Sequence, residues 1–206
     1  MKKTLFLLST IIVAAASTYA QGNNEKYTRM AFVLSPQISW LSSDHQNVSS
    51  SGSQFGYNFG LVIDRFFAPN YAITTGLTIN TTGGVLKYAD PTPGKIEYRL
   101  KYIEVPLAVK LKSNDANRLV FNGQFGVSNQ FNVKATDADG HKLNDDVRFM
   151  SFGYHIGGGI EYGLGGSTSM MFGLLYHNGL TDVTKASGYG DKSVLNRLVF
   201  QIGVIF

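Results

Sequence analysis

Apolar and polar residues alternate along the chain from Met30 to Phe206 in eight segments separated by polar or glycine-rich connections. Successive side chains of a β-strand point to opposite faces, so this period of two residues predicts strands with one apolar face. In Gln54–Asp64, for example, the odd positions are Phe, Tyr, Phe, Leu and Ile, while the even positions are mostly polar or glycine. We predict eight strands: Met30–Ser42, Ser53–Phe67, Tyr71–Thr82, Ile96–Lys112, Leu119–Ala135, Phe149–Leu164, Ser167–Thr181 and Leu195–Phe206.

The connections between these segments are alternately short and long. The predicted short ones are Ala68–Asn70, Ser113–Arg118 and Gly165–Gly166, and the long ones are Ser43–Gly52, Gly83–Lys95, Thr136–Arg148 and Asp182–Val194. Outer-membrane barrels have even strand numbers, tight periplasmic turns and longer external loops. The pattern therefore predicts an all-β fold, an eight-stranded antiparallel up-and-down transmembrane β-barrel with short periplasmic turns and longer extracellular loops.

The N-terminus has the pattern of a cleavable export signal. Lys2 and Lys3 precede the apolar run Leu5–Ala16, and Thr18–Ala20 ends in the small residue that a signal peptidase requires. The apolar run is shorter than the roughly 20 residues needed to span a bilayer. We predict a signal peptide over residues 1–20, a periplasmic lead-in over 21–29 and a barrel domain over 30–206, located in the cell outer membrane.

Composition narrows the remaining possibilities. The chain has no cysteine, so a disulfide framework and a lipid-modified N-terminal cysteine are both excluded. Its formal charge of +4 arises from 18 basic and 14 acidic residues, and removal of Lys2 and Lys3 halves that excess. The basic balance therefore gives no reason to expect a nucleic-acid partner. The expected partners are outer-membrane lipid and, during insertion, the barrel-assembly machinery.

The aromatic residues and the polar faces separate a membrane barrel from a soluble sandwich. The polar faces are rich in Gly, Asn, Gln and Ser, as expected for a lumen. Aromatic residues fall at both ends of the predicted strands, which is typical of the two interfacial girdles of a barrel. We assign to one girdle Phe66, Phe67, Tyr71, Tyr162 and Phe206, and to the other Trp40, Phe55, Tyr57, Tyr98, Phe131, Phe152 and Tyr176.

The fourth predicted strand carries a local motif. Its apolar residues occupy even positions up to Tyr102 and odd positions from Ile103 onward. This change predicts a β-bulge near Tyr102–Ile103 that keeps the apolar side chains on one face of the sheet. Past this point Glu104, Pro106 and Lys110 should point into the lumen. Because proline has no N–H to donate, we also expect a gap in strand pairing at Pro106.

The run Tyr102-Ile103-Glu104-Val105-Pro106-Leu107, followed by Lys110, resembles the signature of the small outer-membrane β-barrel family that includes the PorT-like proteins. The resemblance implies an eight-stranded barrel, and some relatives assist a protein-secretion system. It brings no catalytic set that maps onto this chain. The candidate motif and lumen residues are therefore Tyr102, Glu104, Pro106 and Lys110.

An eight-stranded barrel is only wide enough for side chains to fill its interior. We therefore expect the inward charges to pair and plug the lumen. Glu104 needs a basic partner, with Lys101, Lys110 and Arg99 as candidates on its own strand. The charges predicted to point inward or to lie near a rim are Asp64, Glu97, Arg99, Lys101, Glu104, Lys110, Glu161 and Arg197.

Candidate chemistry is otherwise sparse. The sixth and seventh strands hold Ser151, His155, Glu161, Ser169 and His177 on their inward parity, which leaves a Ser/His/Glu hydrolase open as a minor alternative. The acidic segments Asp137–Gly140 and Asn144–Asp146 favour a solvated turn over a calcium site, because they lack a full ligand series.

The sequence thus predicts a structural or interaction protein of the outer membrane, with no enzymatic activity, catalytic residues, cofactor or metal. The alternatives are an accessory component of a protein-secretion system, a small pore and a lipid-modifying enzyme. A secretion-system or extracellular partner would bind through the loops.

Overall fold

The computed structural model describes residues 27–44, 47–89, 94–185 and 192–206. The predicted signal peptide and residues 21–26 of the lead-in lie outside this part of the chain. The described residues form one closed barrel in which neighbours in sequence pair antiparallel and β8 pairs with β1. Its strands are β1 (Thr28–Ser43), β2 (Val48–Ala68), β3 (Tyr71–Tyr88), β4 (Gly94–Lys112), β5 (Leu119–Thr136), β6 (Met150–Gly165), β7 (Thr168–Gly179) and β8 (Ser193–Ile205).

The predicted fold class is confirmed, and each predicted strand corresponds to an observed one. Within the described ranges, no helix is long and apolar enough to cross a membrane. Below, the turn end is the end of the barrel that carries the tight connections at 69–70, 113–118 and 166–167. The loop end is the opposite end, where β3 joins β4, β5 joins β6 and β7 joins β8.

Two of the four connections predicted to be long are instead mostly strand. β2 already begins at Val48 and β3 continues to Tyr88, so only residues 44–47 and 89–93 join the neighbouring strands. The run Ser49–Gly52 has no apolar alternation and therefore resembles a loop in sequence. Its backbone nevertheless pairs with β3, for example Ser49 with Lys87, because ladder hydrogen bonds do not depend on the side chain.

The outer surface carries a continuous band of exposed apolar side chains, while the lumen buries many polar and charged side chains beside its apolar clusters. Large apolar side chains that are 40% or more exposed occur on all eight strands. Such a band is the lipid-facing surface expected of a membrane barrel. It includes Phe32, Leu34, Leu61, Ile73, Leu77, Leu107, Val109, Phe121, Phe125, Ile156, Leu174, Phe200 and Ile202.

Two aromatic residues do not belong to the girdles to which the sequence assigned them. Phe66 is fully buried in the lumen at the turn end, where its ring stacks on Tyr27 at 4.3 Å. Tyr98 points into the barrel near the loop end. At the turn end, Phe67 and Tyr71 do lie on the outer surface with Tyr162 and Phe206.

The change of parity in the fourth strand has a different cause from the one predicted. The even-numbered residues of β4 from Tyr98 to Lys110 all face inward, with no switch at Tyr102. What changes is the character of the outer face. Its residues are charged up to Lys101 and apolar from Ile103 onward. The bulge belongs to β5: Lys101 pairs with Lys134 and Tyr102 with Asn132, so Val133 is the extra residue.

Toward the loop end the polar lumen gives way to an apolar cluster. Tyr98, Leu100 and Tyr102 of β4 supply three of its side chains. Val147 and Val183, from the two long connections, pack onto it from above. This apolar cap, as we call it, closes the lumen at the loop end. Its other buried members are Leu41, Val48, Leu86, Ala135 and Leu195.

The seam between the first and last strands is interrupted. In the described ladder, Val33 pairs with Gly203 and the next pair is Gln37 with Val199. Pro36 lies in this gap, and proline has no N–H to donate to β8. Pairing resumes on both sides, so the barrel remains closed.

Candidate functional site

Glu104 is the centre of a buried hydrogen-bond network that spans the lumen. Its Oε2 accepts a hydrogen bond from Arg197 Nη2 at 2.7 Å, and the two side chains are 8% and 2% exposed. Asn80 Nδ2 donates to the same oxygen at 2.7 Å and Gln130 Nε2 at 3.3 Å. Arg197 Nη1 also donates to Asn80 Oδ1 at 2.6 Å. One carboxylate thus links β3, β4, β5 and β8.

The prediction that Glu104 has a basic partner is confirmed, but the candidates within its own strand are wrong. Arg99 and Lys101 lie on the outer surface. Lys110 faces inward, yet it is six residues away, which is about 20 Å along an extended strand. The partner comes instead from β8, because the lumen is narrow enough for opposite walls to touch.

Two histidines lie beside this network. His155 Nδ1 is 3.1 Å from Ser128 Oγ, and His177 Nε2 is 3.0 Å from Gln130 Nε2. The imidazole rings stack at 6.5 Å between centroids. Glu161, six residues beyond His155 on β6, belongs to a separate ion cluster near the turn end. The Ser/His/Glu set considered from sequence is therefore not assembled, and the Ser128–His155 pair is buried in the lumen rather than open to lipid.

A second charged cluster fills the lumen near the turn end. Lys110 Nζ lies 2.7 Å from Asp64 Oδ2, and Thr74 Oγ1 donates to Asp64 Oδ1 at 2.6 Å. Glu161 Oε2 lies 2.8 Å from Arg29 Nη1 and 2.8 Å from Lys112 Nζ. Lys110 is also 4.0 Å from Glu161 Oε1, so it connects the two carboxylates. The sequence did not single out Arg29 or Lys112, although the parity of β4 places Lys112 inward together with Lys110.

A small cavity lies between these two clusters. Its volume is about 60 Å³ and its lining includes Glu104, Pro106, His155, His177 and Arg197. A water molecule occupies about 30 Å³ in the liquid. The space is therefore large enough for water, and the apolar cap closes the lumen toward the loop end.

The four motif residues have distinct places along β4. Tyr102 is buried in the apolar cap, Glu104 lies in the cross-lumen network and Lys110 in the turn-end cluster. Pro106 lines the cavity between them. In the described β3–β4 ladder no pairs lie between Thr75–Leu107 and Thr78–Glu104, so the predicted gap at Pro106 is confirmed. Thr75 Oγ1 donates to the Pro106 carbonyl at 3.0 Å.

The acidic turn after β5 is held together by a histidine. Asp137, Asp139 and His141 bring potential ligand atoms within 4.8 Å of one another. Both carboxylate oxygens of Asp137 already contact His141, at 2.8 Å from its backbone N and 2.9 Å from Nδ1. This contact raises the pKa of His141 and lowers the pKa of Asp137. The geometry is that of a solvated turn closed by an ion pair.

Comparison with known proteins agrees with the fold. No curated protein sequence matches this chain. Neisserial surface protein A has the same fold, with a TM-score of 0.51 and 15% identity over 85% of this chain and 97% of that one. OprG of Pseudomonas aeruginosa gives a TM-score of 0.48 and 13% identity, over 88% and 96% of the two chains.

The family assignment comes from the sequence itself. The profile of the outer membrane protein beta-barrel domain matches residues 19–185, which include the first seven strands. Together with the closed barrel and its apolar outer band, this match shows that the chain belongs to the outer membrane protein beta-barrel domain family.

Proposed function

We propose that this outer-membrane barrel is sealed and acts through its loop-end surface, as a structural or interaction component of the membrane. The observation that carries the proposal is the filled lumen. Two charged clusters and an apolar cap follow one another along the barrel axis, and the cavity between the clusters has a volume of about 60 Å³. A transport pore needs a lumen clear of side chains.

Conductance measurements test the seal. The full-length mature protein, reconstituted in planar bilayers, should produce no discrete current steps. Insertion is verified in parallel by the heat-modified mobility that folded barrels show on gels. Regular, ion-selective steps from the wild-type protein would contradict the proposal and favour the pore.

If the protein acts through interactions, its partners should bind the surface at the loop end. The two long connections lie there as far as they are described, over residues 137–149 and 180–185, and they contribute Val147 and Val183 to the cap. A photo-crosslinker at exposed Asp145 should capture an extracellular or membrane partner in whole cells, whereas the same group at exposed Asn114, at the turn end, should not. Capture only from Asn114 would place the interaction in the periplasm.

A secretion role is the second candidate, and the match of Tyr102–Lys110 to the PorT-like signature favours it. In this case the crosslinked partner would be a component of a secretion complex, and deletion of the gene would abolish secretion. The Ser/His/Glu hydrolase is the less favoured alternative, because His155 is buried in the lumen and Glu161 belongs to the ion cluster near the turn end.

A further inference from the structure

The apolar outer band ends abruptly on the outer face of β4 and β5. Ile103 of β4 pairs with Ile79 on one side and Phe131 on the other. The next outward residue toward the loop end is Lys101, which faces Thr81 and Lys134. Two residues of an extended strand span about 7 Å. The surface therefore changes from apolar to cationic within one step along the sheet.

The bulge in β5 is what turns Lys134 outward. Gln124, Ser128 and Gln130 show that the even positions of β5 face the lumen before the bulge. If β5 continued past Asn132 as a regular strand, with no bulge at Val133, this parity would place Lys134 inward. With it, both Val133 and Lys134 are exposed, and Ala135 points into the apolar cap. Bulges re-aim side chains in this way.

The resulting pair of lysines is electrostatically unfavourable for the barrel alone. Like charges placed directly opposite each other on two strands destabilise the pairing. Among the described residues, neither Lys101 nor Lys134 has an acidic partner within ion-pair distance, while nearby Arg99 is paired with Glu97 at 2.7 Å. Burial of Ala135 explains the bulge but does not require a charge at position 134.

We infer that Lys101 and Lys134 form a binding site for the phosphate group of an outer-leaflet lipid. The headgroup phosphates of a bilayer lie immediately outside its hydrocarbon core, which is where the pair stands relative to the apolar band. Below it, Ile103, Phe131 and Val133 offer an apolar surface for acyl chains, and Phe149 packs on Phe131 with ring centroids 5.9 Å apart. A phosphorylated lipid matches both the lysine pair, through its phosphate, and the apolar surface, through its acyl chains. The inference rests on the proposed function only for its orientation, with the loop end outside.

The chain supplies a closely matched control for this site. Lys87 and Lys95 also face each other directly, in the β3–β4 ladder, and both are exposed. They lie six residues beyond Lys101 along β4, which is about 20 Å farther from the apolar band. K101Q/K134Q and K87Q/K95Q therefore remove the same charge from two opposed lysine pairs, of which only the first lies at headgroup depth.

Native mass spectrometry of the detergent-solubilised full-length mature protein, titrated with bis-phosphorylated lipid A, tests the inference. A cation near a charged membrane surface changes binding by about fivefold, so K101Q/K134Q should bind the lipid roughly 25-fold more weakly. K87Q/K95Q should remain within about twofold of the wild type. Dephosphorylated lipid A should bind the wild type as weakly as the bis-phosphorylated form binds K101Q/K134Q.

Thermal unfolding and competition by inorganic phosphate are two further readouts. Without phosphorylated lipid, K101Q/K134Q should unfold at the same temperature as the wild type or higher, because a repulsive pair has been removed. Equal losses of binding in both double variants, or tight binding of the dephosphorylated lipid, would overturn the inference. Full competition by millimolar inorganic phosphate would also overturn it, since the site would then be a general anion site. None of these outcomes affects the absence of conductance on which the proposed function depends.

Discussion

Removal of the Glu104 carboxylate should destabilise the barrel strongly. In Glu104→Ala, Arg197 keeps the side-chain Oδ1 of Asn80 as an acceptor but loses its counter-charge, while Asn80 Nδ2 and Gln130 Nε2 lose the carboxylate oxygen to which they donate. Breaking a buried ion pair from one side typically costs about 3–5 kcal/mol. For a chain of this size, about 1 kcal/mol lowers the unfolding temperature by about 2–4 °C. We therefore expect a decrease of about 6–20 °C, with unchanged location in the outer membrane.

A surface variant on the same strand controls for loss of charge alone. Glu97 forms an ion pair with Arg99 and accepts a hydrogen bond from Gln54 Nε2 at 2.6 Å, but the ion pair is on the outer surface, with Arg99 55% exposed. Exposed pairs contribute about 0–1 kcal/mol. Glu97→Ala should therefore shift the unfolding temperature by no more than about 4 °C.

Thermal unfolding of the detergent-solubilised barrel, followed by circular dichroism and by heat-modified gel mobility, measures both variants. A double-mutant cycle with Arg197→Met isolates the pair, because the second change removes the stranded charge. The double variant should be less destabilised than the sum of the single variants. Additive effects, or unchanged stability of Glu104→Ala with loss of a secretion or binding phenotype, would refute the structural role and make the motif a functional site.

The remaining predictions concern fold, topology and the acidic turn. The mature protein should be almost all-β by circular dichroism and should fractionate with the outer membrane; a helical spectrum or recovery from soluble periplasm would contradict this. Protease added to whole cells should cut near Asn47, Asp139 or Gly188, of which Gly188 lies outside the described residues, and should spare Ala68–Asn70; cutting only after permeabilisation would reverse the orientation. By NMR, the pKa of His141 should lie above its ordinary 6.5 and return toward it in Asp137→Asn. The ion-pair contribution should be lost as pH rises through the raised pKa of His141 or falls through the lowered pKa of Asp137, and an unchanged histidine titration in Asp137→Asn would refute the contact.

The approximate strand bounds and the inward face of β4 from Glu104 to Lys110 could be predicted from the sequence, because both follow from a period of two residues. The strand order could be predicted from the alternation of short and long connections. Glu104, Pro106 and Lys110 point into the lumen as expected. The interpretation of Tyr102 failed because a sequence shows only that the apolar parity changes. It does not show whether the chain bulges or the surroundings change from lipid to water.

The partners of the buried charges were not predictable in the same way. Which side chains meet across a lumen depends on the stagger of all eight strands around the barrel, and a single strand contains no record of that stagger. Arg197 was recognised as an inward charge, but nothing in the sequence linked it to Glu104, 93 residues earlier. For Asn80, the alternation along β3 predicts only that its side chain faces the lumen, and not which group it contacts.

The interrupted seam has a consequence for the insertion of this protein. Each terminal strand contributes an arginine that pairs with a carboxylate of another strand. Arg29 of β1 pairs with Glu161 of β6, and Arg197 of β8 pairs with Glu104 of β4. An open sheet in lipid would leave Glu104 without its counter-ion at membrane depth, which is costly. Backbone pairing is interrupted near Pro36 at the seam, and these long-range ion pairs stabilise the closed barrel relative to an open sheet. We therefore expect partly inserted forms to be disfavoured, so that entry into the bilayer is coupled to joining of the first and last strands.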